Sequence, residues 1–283
     1  MSAVKQESWE DAVRWFREQP GNDEIVRDAY YDDPLNAAAE RYWKSNEWLA
    51  VRDIIGTGPG DALDAGAGRG IASYALAKDG FTVTALEPDP SMLVGAGAIR
   101  QLSQETDLVI HVEENLSERL PFADCSFDVI FARAVLHHIA DLPAAMREFH
   151  RVLRPGGAFV AAREHVITDP SDLPAFFDNH ALHHRYGGEN AHPLSFYQTA
   201  IRDSGLLLER TIGSLESPIN YGPQSTNEIY HRIAAQLMPI AAFRKPISGV
   251  FSLPGIGALI RRLASQFDRR PGRHASFIAR KLA

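Results

Sequence analysis

From residue 61 to residue 162, short apolar runs alternate with stretches of helical spacing, and this alternation constrains the fold more than any other feature. The runs fall at 61–64, 82–86, 108–112, 127–131 and 158–162, and between them 71–78, 91–102 and 142–153 place apolar side chains three or four residues apart. Strands that return through a helix pair in parallel, so the pattern predicts successive βαβ units. Arg154-Pro155-Gly156-Gly157 predicts a helix stop followed by a turn, because Pro cannot continue a helix and Gly tolerates the bend. Past residue 165 the alternation weakens to a helix opened by His192-Pro193 and ending at Gly205, a strand at 206–212 and a closing strand at 275–282. The expected fold is α/β: a Rossmann-like, doubly wound, mostly parallel sheet of seven strands, finished by an antiparallel hairpin.

Two segments stand outside that pattern. Residues 1–55 read as a helical cap holding all four tryptophans, Trp9, Trp15, Trp43 and Trp48, and must pack on the alternating region. Residues 214–273 read as a helical insertion, periodic at 227–238 and 255–267, which leaves 56–213 with 274–283 as the core. The single cysteine, Cys125, excludes an internal disulfide and a thiolate metal cluster. No apolar run is long enough to cross a bilayer, and the start of the chain lacks a basic-then-apolar leader pattern, so a cytoplasmic protein is expected. A net charge of −7 argues against a nucleic-acid partner.

The chemistry gathers at the end of the first predicted strand. Leu63-Asp64-Ala65-Gly66-Ala67-Gly68-Arg69-Gly70 joins that strand to a helix, and glycines there let the backbone turn sharply against a ligand. Glu87 ends the second strand, 17 positions after Gly70, where a carboxylate accepts hydrogen bonds from ribose hydroxyls. Nicotinamide-dependent enzymes share that device, but their fingerprint spaces the last two glycines one residue wider than Gly66-Ala67-Gly68-Arg69-Gly70. An acid such as Asp64 suits a cationic sulfonium better than a pyrophosphate.

In order along the chain, the glycine loop, Glu87-Pro88-Asp89-Pro90-Ser91-Met92-Leu93, Leu120-Pro121-Phe122, Ser126-Phe127-Asp128-Val129-Ile130, Leu136-His137-His138-Ile139 and Leu153-Arg154-Pro155-Gly156-Gly157 resemble the motifs of class I S-adenosylmethionine-dependent methyltransferases of the methyltransferase-11 kind. The resemblance covers about 55–165, and more loosely 193–213 and 275–283. It implies S-adenosyl-L-methionine as cofactor, with Gly66, Gly68 and Gly70 toward its methionine moiety, Asp64 and Ala65 beside them, and Glu87 with Pro88 at its ribose. It also implies Met92 against the adenine, Asn115 (or its neighbours Glu114 and Leu116) at the adenine amine, and Arg133 bordering the methionine group.

S-adenosylmethionine carries an electrophilic methyl group, so the protein's part is to position the acceptor and, for a hydroxyl, to remove a proton. Histidine is the natural base, and His137 and His165, at the ends of successive strands, are the first candidates, ahead of His138, which packing alone would explain. His180, His183, His184, Glu189 and His192 have ligand-like spacing but ordinary loop composition, so no metal is expected. A looser resemblance, carried by 182–190 and Trp43-Lys44-Ser45-Asn46-Glu47-Trp48, is to methyltransferases of polysaccharide biosynthesis, and it implies O-methylation of a sugar or glycan hydroxyl. The alternatives are a small hydroxylated metabolite or quinone-like ring, and, outside this chemistry, a nicotinamide-dependent oxidoreductase or a catalytically silent cofactor-binding partner. Between Arg244 and Arg273 an apolar stretch flanked by Arg244, Lys245, Arg261 and Arg262 reads as a candidate for peripheral membrane contact. Nothing in the pattern sets an oligomeric state.

Overall fold

The computed structural model describes residues 7–179, 182, 183, 185, 190–237, 251, 253 and 255–283. Four helices come first: α1 (Trp9–Glu18), α2 (Asp23–Asp28), α3 (Leu35–Trp43) and α4 (Asn46–Ile55). The Ser8 side chain accepts from the Asp11 N–H at the head of α1, and Ser45 does the same for Trp48 at α4. Each thereby satisfies a donor that helix geometry leaves open.

The alternating region comes next as β1 (Asp61–Ala65), α5 (Ile71–Lys78), β2 (Thr82–Leu86), α6 (Ala96–Thr106), β3 (Ile110–Glu113), β4 (Phe127–Arg133), α7 (Leu142–Val152) and β5 (Leu153–Ile167). Then come α8 (Leu173–Asp178), β6 (His192–Pro193), α9 (Leu194–Asp203), β7 (Leu207–Ile212), α10 (Pro218–Tyr221), α11 (Thr226–Leu237), α12 (Ile256–Phe267) and β8 (Arg273–Arg280). The strands form one sheet in the order β3-β2-β1-β4-β5-β8-β7, with the two-residue β6 pairing with β5. Every pair from β3 to β5 is parallel, whereas β8 runs antiparallel to both β5 and β7. The expected sheet and closing hairpin are present, and β6 is an eighth strand that the sequence pattern did not suggest.

Two local expectations shift. The helix expected from residue 91 starts at Ala96, because the chain first curls so that the Asp89 carbonyl accepts from the Ala96 N–H at 2.7 Å. The turn expected at Arg154-Pro155-Gly156-Gly157 is instead the start of β5. There the Gly156 N–H donates to the Lys281 carbonyl at 2.8 Å, and a Cβ on Gly157 would stand 2.8 Å from the Arg154 oxygen. Gly157 serves close packing, whereas Gly156 supplies a positive φ of 80° with open space beside it.

The sheet is buried on both faces, as parallel strands demand. One face packs Met146, Phe149, Tyr197 and Ile201 of α7 and α9 against Ile130 and Phe159. The other packs Ala72, Ala75 and Leu76 of α5, with Tyr42, Trp48 and Val51 from the cap, against Val83, Phe131 and Val160. The cap docks through Asp79, just beyond α5, whose carboxylate accepts from Trp43 Nε1 at 2.7 Å, Trp48 Nε1 at 2.8 Å and Arg52 Nε at 2.6 Å. Its side chain is 5% exposed. Asp79→Ala strands two indole donors and a guanidinium, and is expected to lower unfolding free energy by about 2–4 kcal/mol in urea titration.

Candidate active site

A cavity of about 410 Å³ opens where the carboxyl ends of β1, β2 and β4 meet, at the point where strand order reverses between β1 and β4. The glycine loop forms its floor. Gly66, Gly68 and Gly70 all adopt positive φ, and a Cβ on Gly66 would stand 2.6 Å from both Val135 methyls. The Gly66 and Ala67 N–H groups both donate to the Leu86 carbonyl, at 2.8 and 3.0 Å, which holds the loop against the end of β2.

Two buried carboxylates line this cavity, Asp64 at 1% exposure and Glu87 at 8%. Asp64 accepts from the Ser73 hydroxyl at 2.6 Å. Glu87 accepts from the Gly68 N–H at 2.7 Å and the Asp89 N–H at 3.0 Å. Among the described residues neither forms an ion pair. Burial therefore dominates, pushing Asp64 up to about 6 and Glu87 up to about 7 against the pull of those donors. A cavity with two desolvated carboxylates, neither of them paired with the arginines Arg69 and Arg133 that also line it, suits a positively charged ligand.

Arg133, at the end of β4, also lines the cavity, but its charge is already committed. Its Nε donates to Glu47 Oε1 at 2.6 Å and its Nη2 to Glu47 Oε2 at 3.2 Å, and the guanidinium lies over the rings of Tyr30 and Tyr42. Glu47, 3% exposed on α4, takes a second arginine on its other side, Arg163, at 3.3 Å. Burial disfavours charge on both arginines; Glu47 outweighs it and raises Arg133, while Arg163 stays lowered.

The other sequence-predicted residues divide cleanly. Pro88, Asn115, Leu116 and His138 line the cavity with Asp64, Gly66, Gly68, Glu87 and Arg133. Glu114 is turned away, exposed and paired with Arg100. Ala65, Gly70 and Met92 are not in the lining. Ala65 is fully buried in the core under the sheet, Gly70 caps α5, and Met92 is 62% exposed with its sulfur toward Gly97.

His137 and His165 also lie off the cavity. His137 is 2% exposed, and its Nδ1 sits 2.8 Å from Glu164 Oε2, the same carboxylate that accepts from the Val135 N–H at 3.1 Å and the His137 N–H at 3.3 Å. Burial pushes Glu164 up to about 7 and drives His137 well below its ordinary range, so this imidazole is neutral. His165 packs with its ring 4.7 Å from His137, 5.1 Å from His274, 5.8 Å from His183 and 5.3 Å from Phe176. Its Nδ1 faces the Gly272 carbonyl at 3.2 Å. Among the described residues, His138 alone of the histidines reaches the cavity, exposed on the loop that Glu164 fixes. No group of described residues forms a metal site, while His180, His184 and Glu189 lie outside the described residues.

Sequence reasoning missed the cap's share of the lining: Trp9, Tyr30 and Tyr31 close the cavity from above. Arg69 brings them there, donating from Nη1 to the Tyr30 and Asp32 carbonyls at 3.1 and 3.0 Å and from Nη2 to Asp33 at 2.6 Å. The concentration of aromatic residues before residue 55 was the available signal.

Residues 63–161 match the family described as methyltransferase domain. Over 127 residues the chain is 35% identical to a demethylmenaquinone methyltransferase of Mycolicibacterium paratuberculosis, covering 44% of this chain and 50% of that one. Over 150 residues it is 31% identical to a ubiquinone/menaquinone biosynthesis C-methyltransferase of Nitrobacter hamburgensis, covering 52% and 58%. The chain thus spans about half the length of the curated relatives it matches. In fold it is similar to a geranyl diphosphate methyltransferase solved with S-adenosylmethionine, with a TM-score of 0.57 and 17% identity over 92% of this chain and 95% of that one. A glycine-floored cavity at the switch point and an acid closing the second strand both fall on the matched segment, so residues 63–161 form a methyltransferase domain, similar in fold to class I S-adenosylmethionine-dependent methyltransferases.

Proposed function

We propose that this chain transfers a methyl group from S-adenosylmethionine to a quinone-like, hydroxylated ring. The observation that carries the reading is the pair of buried carboxylates, Asp64 and Glu87, in one glycine-floored cavity whose two arginines, Arg69 and Arg133, are paired with Asp33 and Glu47 instead. A sulfonium cofactor with an ammonium and a ribose supplies the missing charge and the hydroxyl donors. Glu87 is assigned to the ribose hydroxyls, Gly66 and Gly68 to the methionine moiety, and Asn115 and Leu116 to the adenine. When bound, the cofactor supplies an electrophilic methyl group and needs no protein nucleophile.

The remaining wall, Tyr30, Tyr31, Val135 and Ile139, is apolar and aromatic, which suits a flat ring. The relatives named for demethylmenaquinone and for ubiquinone/menaquinone methylation support such an acceptor. A glycan hydroxyl, the acceptor first expected, loses its basis: Trp43 and Trp48 commit their indole N–H groups to Asp79, away from the cavity. Tyr186 lies outside the described residues. The polysaccharide reading is therefore replaced by the quinone one. We assign residues 56–213 with 274–283 to the methyltransferase core, 1–55 to the cap over its cavity, and 214–273 to an insertion between β7 and β8.

His138 is the proposed base. It would take the proton of a ring hydroxyl and so raise electron density on the adjacent ring carbon; that carbon would receive the methyl group as the methyl–sulfur bond breaks and leaves a neutral thioether, and its own hydrogen would leave as a proton to solvent to restore aromaticity. His137, neutral and held by Glu164, lies with its ring 4.1 Å from that of His138, tilted by 41°, and is assigned to position it. Incubating the chain with methyl-labelled cofactor and a short-chain reduced demethylnaphthoquinone is expected to put label on the ring carbon, located by NMR; label on a sugar hydroxyl, or none on the ring, would overturn the acceptor.

Three variants probe the site. Glu87→Ala is expected to weaken cofactor binding by roughly 10- to 100-fold in calorimetry, the loss of charge-assisted hydrogen bonds. Because burial sets free Glu87 at about 7 and the bound form needs the carboxylate, affinity is complete above that pH and falls as pH drops through it. Kd should rise roughly tenfold from about pH 7.5 to about pH 6, and Glu87→Gln should flatten the profile. His138→Ala should lower kcat by about 10²–10⁴ while cofactor affinity stays within about twofold.

A further inference from the structure

We infer that α12 is a docking surface for an anionic lipid bilayer. An amphipathic helix needs one apolar face to pack on its protein, and α12 has that face: Gly257 meets the Tyr230 ring, and Ile260 and Ala264 pack on the cluster built by Leu215, Ile229, Tyr230 and Ile233. It then carries a second one. Ile256, Leu259, Leu263 and Phe267 recur at spacings of three, four and four residues, on one side of the helix, and are 41, 58, 45 and 78% exposed. Leu253, just before the helix, is 51% exposed. Scattered exposed apolar residues need no explanation, but a helix-long stripe of them does.

Charge identifies the occupant. From residue 255 to residue 273 the chain has Arg261, Arg262, Arg269, Arg270 and Arg273 against Asp268 alone. Arg261 turns inward to the Tyr230 hydroxyl and Arg270 pairs with Asp268 at 2.7 Å, while Arg262 and Arg269 are exposed and form no ion pair among the described residues. A second copy stacked on this stripe would bring like charges together. Lipid phosphates neutralise them while the acyl region takes the leucines and the phenylalanine, the arrangement of an interfacial helix. No helix of the described residues is long and apolar enough to cross a membrane, so α12 lies on the surface rather than spanning it. Arg244 and Lys245, singled out in the sequence, lie outside the described residues and carry none of this reading. The surface stands independently of the proposed methyl transfer, but it would bring the cavity to a lipid-borne ring.

Sedimentation with sucrose-loaded vesicles, one part phosphatidylglycerol to three parts phosphatidylcholine, tests it without acceptor or turnover. The full chain is expected to bind these vesicles, to bind pure phosphatidylcholine at least about tenfold more weakly, and to lose the difference at about 1 M salt. Leu259→Glu with Phe267→Glu should reduce binding about tenfold or more, and Arg262→Glu with Arg269→Glu should abolish the preference for anionic lipid, both with unchanged circular dichroism and cofactor affinity. Absence of binding by the full chain overturns the inference. So does unaltered binding by the first variant, or a dimer in light scattering that the first variant dissolves. None of these outcomes bears on whether the ring is methylated, which the labelling experiment decides separately.

Discussion

Glu47 holds the site together. Burying a carboxylate to 3% exposure is costly unless its charge is answered, and here Arg133 at the end of β4 and Arg163 within β5 answer it. The consequence is geometric. The cap helix that carries Glu47 cannot drift from the sheet without leaving a buried charge alone, and Arg133 cannot swing into the cavity to neutralise Asp64 or Glu87. Both arginines in the lining are thus occupied, Arg133 by Glu47 and Arg69 by Asp33, and neither pairs with Asp64 or Glu87.

The same pairing of charge runs through the histidines. Glu164, buried and pushed up to about 7, fixes the loop after β4 by accepting two backbone N–H groups and the His137 ring. His137 is consumed in that task, and its neighbour is thrust into the cavity. A pair of consecutive histidines therefore divides into one held by Glu164 and one in the cavity lining, with their rings still 4.1 Å apart.

Much of this was legible in the residues. Periodicity located the strands at 61–64 and 82–86 and the helix at 71–78 almost to the residue, because each is a short, buried element with little freedom. Gly66, Gly68 and Glu87 were readable for the same reason: tight turns and strand ends demand particular residue types. What sequence could not convey was direction. Nothing local distinguishes His137 from His138, or shows that Met92 points to solvent, since those outcomes depend on Glu164 and on the curl at Asp89, contacts made by distant or irregular chain. Trp43 and Trp48 looked like ligand-facing aromatics until Asp79, 36 and 31 positions onward, claimed both indoles.

The order of strands also governs how the molecule can be assembled. Among the described residues β7 pairs with β8 and with no other strand, and β8 lies between it and β5. Ribosomal synthesis delivers β7 about sixty residues ahead of the neighbour it requires. Until that neighbour arrives, β7 has no ladder to join and β5 presents an open edge, so the parallel half of the sheet must be stable enough to wait. The closing step is a long-range insertion, and topology makes such steps slow. Any change that weakens β8 would be felt first as a failure to finish folding, before it registered as a loss of chemistry.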